Sequence, residues 1–298
     1  MKLVRLLLTR VMRTAVILLM VVFAATALVR FAPGYLSDAR EMDQRYAGAA
    51  REELNETARR DSSLLKMVGR EIDGWSRGDL GDSRQYQVPV RELIGARLKV
   101  TIEIILRAIG LAWSMAFVAA LISSSRRKAS VVWQLPATLL LAVPTAALAT
   151  LCIVAGDGTS VYPVTVMALL LAARDFKFLD RIFRTAWNEP HVLQARAQGI
   201  SGAHLLRAYI LPGLRPSMMA LATLSILTAL SAMVPVEVIF NIPGIGQLAW
   251  SAAMNRDLPV LLAVTLINAI AVTLAGMFSR DEKHGRTESM QTMEWKAS

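Results

Sequence analysis

Long uncharged apolar runs alternate along this sequence with short charged segments, and that alternation restricts the fold before any single residue is weighed. The runs occupy residues 14–29, 108–122 (with a start near Thr101), 131–154, 161–173, 216–238 and 258–278. A straight helix needs about 20 apolar residues to cross a bilayer core, and only a helix or a closed barrel satisfies its backbone there. The sequence therefore predicts an all-α membrane protein with six transmembrane helices, a cytoplasmic loop between the fourth and fifth, and a long external segment after the first. The fourth run is short, so it either continues into Arg174-Asp175-Phe176 or sits shielded by protein. Composition agrees: 54% of residues are hydrophobic before glycine is counted, which exceeds the usual soluble domain.

Charge placement sets the orientation. Lys2, Arg5, Arg10 and Arg13 precede the first run. Ala25-Thr26-Ala27 has the small-x-small pattern of a signal-peptide cleavage site, but the added apolar residues 3–8 and the later runs favour an uncleaved helix with a cytoplasmic N-terminus. Six spans then place in the cytoplasm residues 123–130 with Arg126, Arg127 and Lys128, residues 174–215 with seven Lys or Arg, and the tail with Arg280, Lys283, Arg286 and Lys296. The external loop 156–160 has no Lys or Arg, and 239–257 has only Arg256. This asymmetry obeys the positive-inside rule. The net charge of +10 sits mostly at the ends of apolar runs, so it anchors spans in the lipid bilayer and does not point to nucleic acid.

The chain reads as one membrane domain: residues 1–100 hold the first helix and external segment, 101–278 a five-helix core with the loop 188–212, and 279–298 a cytoplasmic tail. Within the external segment, Leu54, Leu64, Leu65, Val68, Ile72 and Trp75 predict an amphipathic helix over 38–75, broken by Gly74, Gly78 and Gly81. The lone Cys152 and three histidines exclude an intrachain disulfide and a Cys/His metal cluster; Cys152 reads as a buried structural thiol.

No G-x-x-x-x-G-K-[ST], H-E-x-x-H or G-x-S-x-G occurs, and no span carries paired carboxylates, so energy for any powered transport enters from elsewhere. Two stretches stand out instead. In the loop from Asn188 to Ser201, Asn188 suits an N-cap, Pro190 a first turn, and Gly199 the left-handed position after a helix. Ser201 can cap a second helix ending near Leu211, where Pro212 interferes with continuation. The two helices make a bent knob, with small Ala195, Ala197 and Ala203 at the bend, able to seat in a partner's groove; the alternative is an ordinary connecting loop. In the second stretch, from Val236 to Leu248, Pro243-Gly244 fits a type II turn and Gly246 adds a permissive point. That loop is expected to lie flat at the outer mouth of the bundle, with Arg256 and Asp257 capping the last helix and neutralising each other; the alternative is a plain hairpin between spans. Glu103 and Arg107, four apart, suit a structural ion pair.

Four blocks, in order along the chain, resemble the permease subunit of the oligopeptide/dipeptide/nickel-type ABC importers. They are Arg30-Phe31-Ala32-Pro33-Gly34; Gly78-Asp79-Leu80-Gly81-Asp82-Ser83 with Pro89-Val90 and Arg97-Leu98-x-x-Thr101; Ala195-Arg196-Ala197-Gln198-Gly199 with Leu211-Pro212; and Val236-Glu237-x-Ile239-Phe240-Asn241-x-Pro243-Gly244-x-Gly246-x-Leu248, ending at Asn255-Arg256-Asp257-x-Pro259. The resemblance implies a non-catalytic pore subunit working with a second homologous permease, two ABC ATPase subunits that hold ATP and Mg, and an external solute-binding protein, with no cofactor on this chain. It implies an ATPase-coupling role for Glu189, Ala195, Arg196, Ala197, Gln198, Gly199, Ser201, Leu211 and Pro212, and an external loop or gate at Glu237, Phe240, Pro243, Gly244, Gly246, Arg256 and Asp257. Tyr35, Leu193 and Gln198 depart from the family's usual acid, glutamate and lysine. Those departures leave a degenerate permease acting as a sensor or assembly subunit as one alternative. A gradient-driven secondary transporter is the other, and its signature of inverted repeats and broken, charged spans is not visible in the sequence.

Overall fold

The computed structural model describes residues 12, 16, 19–24, 26–27, 68–69, 72–75, 77–125, 129–155, 161–255 and 257–276. Among them the structure is helical, with one isolated antiparallel bridge between Asp82 and Pro89. In chain order the helices are α1 (Val90–Ser125), α2 (Ala129–Ala142), α3 (Thr145–Ala155), α4 (Val161–Trp187), α5 (Pro190–Ala197), α6 (Gly202–Leu205), a π-helical segment (Leu206–Ile210), α7 (Leu211–Ile239), α8 (Ile245–Met254) and α9 (Leu258–Gly276). Three stretches, Val90–Ser124, Gly202–Ile239 and Leu258–Gly276, are long and apolar enough to cross a membrane, and the bent α2–α3 pair makes a fourth if it is one span. The chain is a multi-pass helical membrane protein.

Contacts divide the chain into two units, Met1–Leu98 with Leu248–Ala271 and Lys99–Gln247 with Val272–Ser298. The second unit holds the main core, and α1 shows how it is built. Ala108, Ala112, Ala116 and Ala120 recur every fourth residue, hence on one face, and each is at most 1% exposed. Several of its large residues point the other way: Leu106 is 65% exposed, and Met115, Val118 and Ile122 are also exposed. A soluble helix would bury its large side chains; small residues inside and large ones outside is the arrangement expected in lipid, where close backbone approach supplies the packing. Ala108 and Ala112 sit in a cluster with Met167 and Leu171 of α4 and Met233 and Val236 of α7. Ala116 and Ala120 join Phe176, Leu179 and Phe183 of α4 and Leu221 of α7. There the Phe117 and Phe183 rings meet edge to face, 5.4 Å apart.

Buried polar clasps cross these apolar contacts. The Trp113 indole donates to the Ser225 hydroxyl (3.2 Å), which lies 2.8 Å from Oδ2 of the buried Asp175. Near the far end of α4, Arg184 binds Asp180 (2.9 Å) and the Ser123 carbonyl (2.8 Å), and Gln134 of α2 donates to the same Asp180 oxygen. Three helices are thereby tied at one level.

The structure changes several sequence expectations. The run 131–154 is not one straight helix: α2 and α3 meet at a 97° bend, because Pro144 lacks an N–H and steers Val143 away from helical geometry. The bent pair contains no charged residue, so it does not supply the broken, charged span of a secondary transporter. The short fourth run does continue, through Arg174-Asp175-Phe176 as far as Trp187. The second run begins at Val90, well before Thr101. Cys152 is half-buried rather than fully buried. Glu103 and Arg107 form the expected pair at 2.5 Å. Of the amphipathic helix expected over 38–75, Leu54, Leu64 and Leu65 lie outside the described residues; Val68 is buried, but Ile72 is exposed, and Gly74 lies inside a helical stretch rather than ending it. The helix stops at Gly78, in the left-handed region at φ 78°.

The inverted face of α1 gives a first prediction. Ala116→Leu should cost about 1–3 kcal/mol through overpacking, seen as a lower thermal midpoint of the detergent-purified chain, whereas Leu106→Ala should leave the midpoint nearly unchanged.

Candidate functional site

Two loops carry the residues singled out by the sequence, and both follow the same helix-ending geometry. At the end of α5, Gly199 has φ 85°, its N–H reaches the Arg196 carbonyl (3.0 Å), and the Ile200 N–H reaches Ala195 (3.1 Å). This is a Schellman ending, in which a left-handed residue lets two later N–H groups satisfy orphan carbonyls. At the end of α7, Asn241 has φ 51°, its N–H reaches Val238 (3.2 Å), and the Ile242 N–H reaches Glu237 (2.8 Å). Asparagine takes the place that glycine holds in the first loop.

Around Gly199 the expected knob forms, with corrections at both its ends. The N-cap of α5 is Glu189, not Asn188; the Asn188 amide instead donates back to the Arg184 carbonyl and closes α4. Glu189 makes no side-chain cap bond, and neither does Ser201, which does occupy the N-cap of α6. The second helix does not end at Leu211. It runs through the π-helical segment straight into α7, and Pro212 falls in the first turn of α7, where a missing N–H is tolerated. The fifth span thus extends from the knob itself, with Pro216 and Pro235 inside it. Val192 and Ala195 are buried among Leu179, Phe183, Leu205 and Ile210. His191, Leu193, Gln194, Arg196, Ala197, Gln198 and Gly199 remain exposed. The knob is anchored on one face and open on the other.

The second loop contains no type II turn. Gly244 is not in the left-handed region; the positive φ belongs to Asn241, and the Gly244 N–H bonds two residues back to Ile242 (2.7 Å) across Pro243. Gly244 serves a different purpose: a Cβ there would fall on the Glu237 carboxyl group. Gly246 is similarly confined, since an added Cβ would lie 2.8 Å from the Val234 Cα. Gly246 makes room for the Val234 backbone, and Gly244 for Glu237 beside it, which is fully buried. Its Oε1 accepts from the Thr101 hydroxyl (2.6 Å), and its Oε2 accepts from the N–H groups of Gly246 (2.6 Å) and Gln247 (3.0 Å). Thr101 in turn accepts from the Ile245 N–H (2.8 Å). The first three N–H groups of α8 are therefore satisfied by side chains from α7 and α1, and the carboxyl group faces the positive end of a helix dipole. Phe240 packs partly buried on the adjacent core.

In the first unit, Asp257 is also fully buried. Its Oδ2 accepts from the Ser83 hydroxyl (2.5 Å) and the Gln85 N–H (3.1 Å), while the Leu261 N–H bonds to its carbonyl (3.0 Å) at the start of α9. Ser83 lies in a tight hairpin closed by Ser83 N–H to Val88 and Val90 N–H to Gly81 (both 3.0 Å), with Gln87 at φ 55°. The Asp257 side chain is thus committed to the hairpin. Arg256, its expected neutralising neighbour, lies outside the described residues. The sequence singled out Glu237 and Asp257 but not their partners. Thr101 and Ser83 did stand in the quoted blocks, and their spatial pairing was the missing element.

Comparisons with known proteins agree with the family resemblance. The family described as binding-protein-dependent transport system inner membrane component matches residues 108–280. The oligopeptide transport system permease protein AppB of Bacillus subtilis is 25% identical over 300 residues, covering 91% of this chain and 94% of that protein. The metal-staphylopine import system permease protein CntB of Staphylococcus aureus is 30% identical over 115 residues, 39% of this chain and 37% of that one. A putative peptide permease protein of Brucella ovis is 27% identical over 122 residues, again 39% of this chain and 37% of that protein.

The clasp on α8 makes a prediction. Glu237→Ala leaves three buried donors unpaired and should cost about 3 kcal/mol. Gly244→Ala should lower the thermal midpoint comparably, whereas Gly213→Ala, where an added Cβ meets open space, should not.

Proposed function

This chain belongs to the binding-protein-dependent transport system inner membrane component family, and we propose that it is the pore-forming permease subunit of an ATP-driven importer for peptides or similar small solutes. Its partners are a second homologous permease, two ABC ATPase subunits holding ATP and Mg, and an external solute-binding protein. Six spans with a cytoplasmic N-terminus put residues 188–212 on the ATPase side and the loop 239–257 outside.

The observation that carries this reading is the knob. The helix α5 buries Val192 and Ala195 against α4 and the base of α7, and offers Leu193, Gln194, Arg196, Ala197 and Gln198 outward. A projection braced on two long apolar helices suits the transmission of rigid-body motion from a partner. Glu189, Ser201, Leu211 and Pro212 shape its ends, and the Gly199 bend sets the angle between its halves. On the other side, Glu237, Gly244 and Gly246 fix the start of α8, and the family resemblance implies an external loop or gate role for Phe240, Pro243, Arg256 and Asp257. Closure of the ATPase pair would rock the knob and switch the cavity between inward and outward access.

Two measurements test the reading. A cysteine placed at Gln198, with Cys152→Ser, should react with a membrane-impermeant maleimide in inverted vesicles and not from outside intact cells; external labelling would falsify the six-span topology. In lipid nanodiscs the chain should co-purify with the ABC ATPase subunits of its own genome, and Gly199→Pro, which cannot adopt a positive φ, should abolish that association. Absence of an ATPase from the wild-type preparation sinks the importer reading.

A further inference from the structure

Both short helices of the knob converge on one residue of the π-helical segment. The carbonyl of Tyr209 accepts a hydrogen bond from Nε2 of His191 on α5 (3.3 Å), since a carbonyl has no proton to give. The ring of the same Tyr209 meets the His204 ring of α6 edge to face, 6.4 Å between centroids and 71° between planes. Two of the three histidines in the chain are thereby spent on Tyr209.

The setting gives this convergence its importance. The helix α5 is bounded by a break at Asn188–Glu189 and by the left-handed Gly199, and α6 begins at Gly202, also left-handed at φ 62°. The backbone therefore joins α5 to the span that follows only through short turns. The span starts at a weak point too: the Leu211 N–H reaches back five residues to Leu206, and Pro212 supplies no N–H to Ala208. Single π turns of this kind are places where a helix can kink.

We propose that His191 is a positioning residue that latches the first knob helix to the π-helical base of α7 through the Tyr209 carbonyl, so that α5, α6 and the base of α7 move as one body. The inference rests on the permease reading for its purpose, because the body so formed joins the ATPase-facing surface to a membrane span. The latch itself is a property of this chain alone. Without it, α5 is held by the apolar contacts of Val192 and Ala195 and by the turns at its two ends, and can rock on them.

The test follows the distance between α5 and α7 in the full chain, in nanodiscs. Spin labels are placed at Gln194→Cys and Leu224→Cys, both exposed, on a Cys152→Ser background. With His191 in place the labelled chain, without ATPase, should give a single narrow peak. His191→Leu should lose the narrow peak while the thermal midpoint persists and the unlabelled His191→Leu chain still co-purifies with ATPase. His191→Gln, which keeps a side-chain N–H at similar reach, should restore it. A narrow peak in His191→Leu, or a broad one in His191→Gln, overturns the latch. Absence of a co-purifying ATPase counts against the permease reading, and the peak widths of the chain without nucleotide still decide the latch.

Discussion

A chain whose outer surface is as apolar as its core cannot rely on burial of apolar area to hold its helices together. Leu106, Val118 and Ile122 face outward on α1 while alanines face inward, so moving the helix from lipid to its neighbours exchanges one apolar contact for another. What remains is fit and polar commitment. The alanine face lets α1 approach α4 and α7 closely, and the polar clasps then fix the register. Trp113, Ser225 and Asp175 lock the middle of the bundle, Ser123, Gln134, Asp180 and Arg184 lock the Trp187 end of α4, and Thr101 with Glu237 locks the loop into α8. Each clasp joins residues far apart in sequence.

The same economy explains the candidate site. Glu237 caps a helix other than its own, Thr101 bridges donor and acceptor in one hydroxyl, and two glycines are retained for clearance rather than for a turn. At the knob, Gly199 is retained for its backbone angle and meets no neighbour closely. Glycine thus answers two separate demands within one site.

Much of this was legible beforehand, and the limits have physical causes. Apolar runs located the helices because hydropathy is a local property, and Gly199 announced its Schellman ending because glycine is the common residue there. Asn241 makes the same ending yet went unread, since Pro243-Gly244 offered a more familiar turn signal two residues on. The bend at Pro144 was overlooked because the run stays apolar through it, and apolarity says nothing of direction. The short fourth run was underestimated because the charges of α4 lie on the same helix that earlier carries its apolar residues. Pairings such as Ser83 with Asp257 lie 174 residues apart, and no local pattern encodes them.

The length of α4 has a mechanical meaning. Its 27 residues, at about 1.5 Å each, make a rod of roughly 40 Å, longer than the ~30 Å hydrocarbon layer. A helix tied to its neighbours by hydrogen bonds near both its middle and its Trp187 end resists bending along that stretch. Pivoted about its Val161 end, such a rod converts a tilt of roughly 10° into a displacement of about 7 Å at the other end. Because Ser123 of α1 and Gln134 of α2 hold that far end, any such tilt of α4 must carry both neighbouring helices with it.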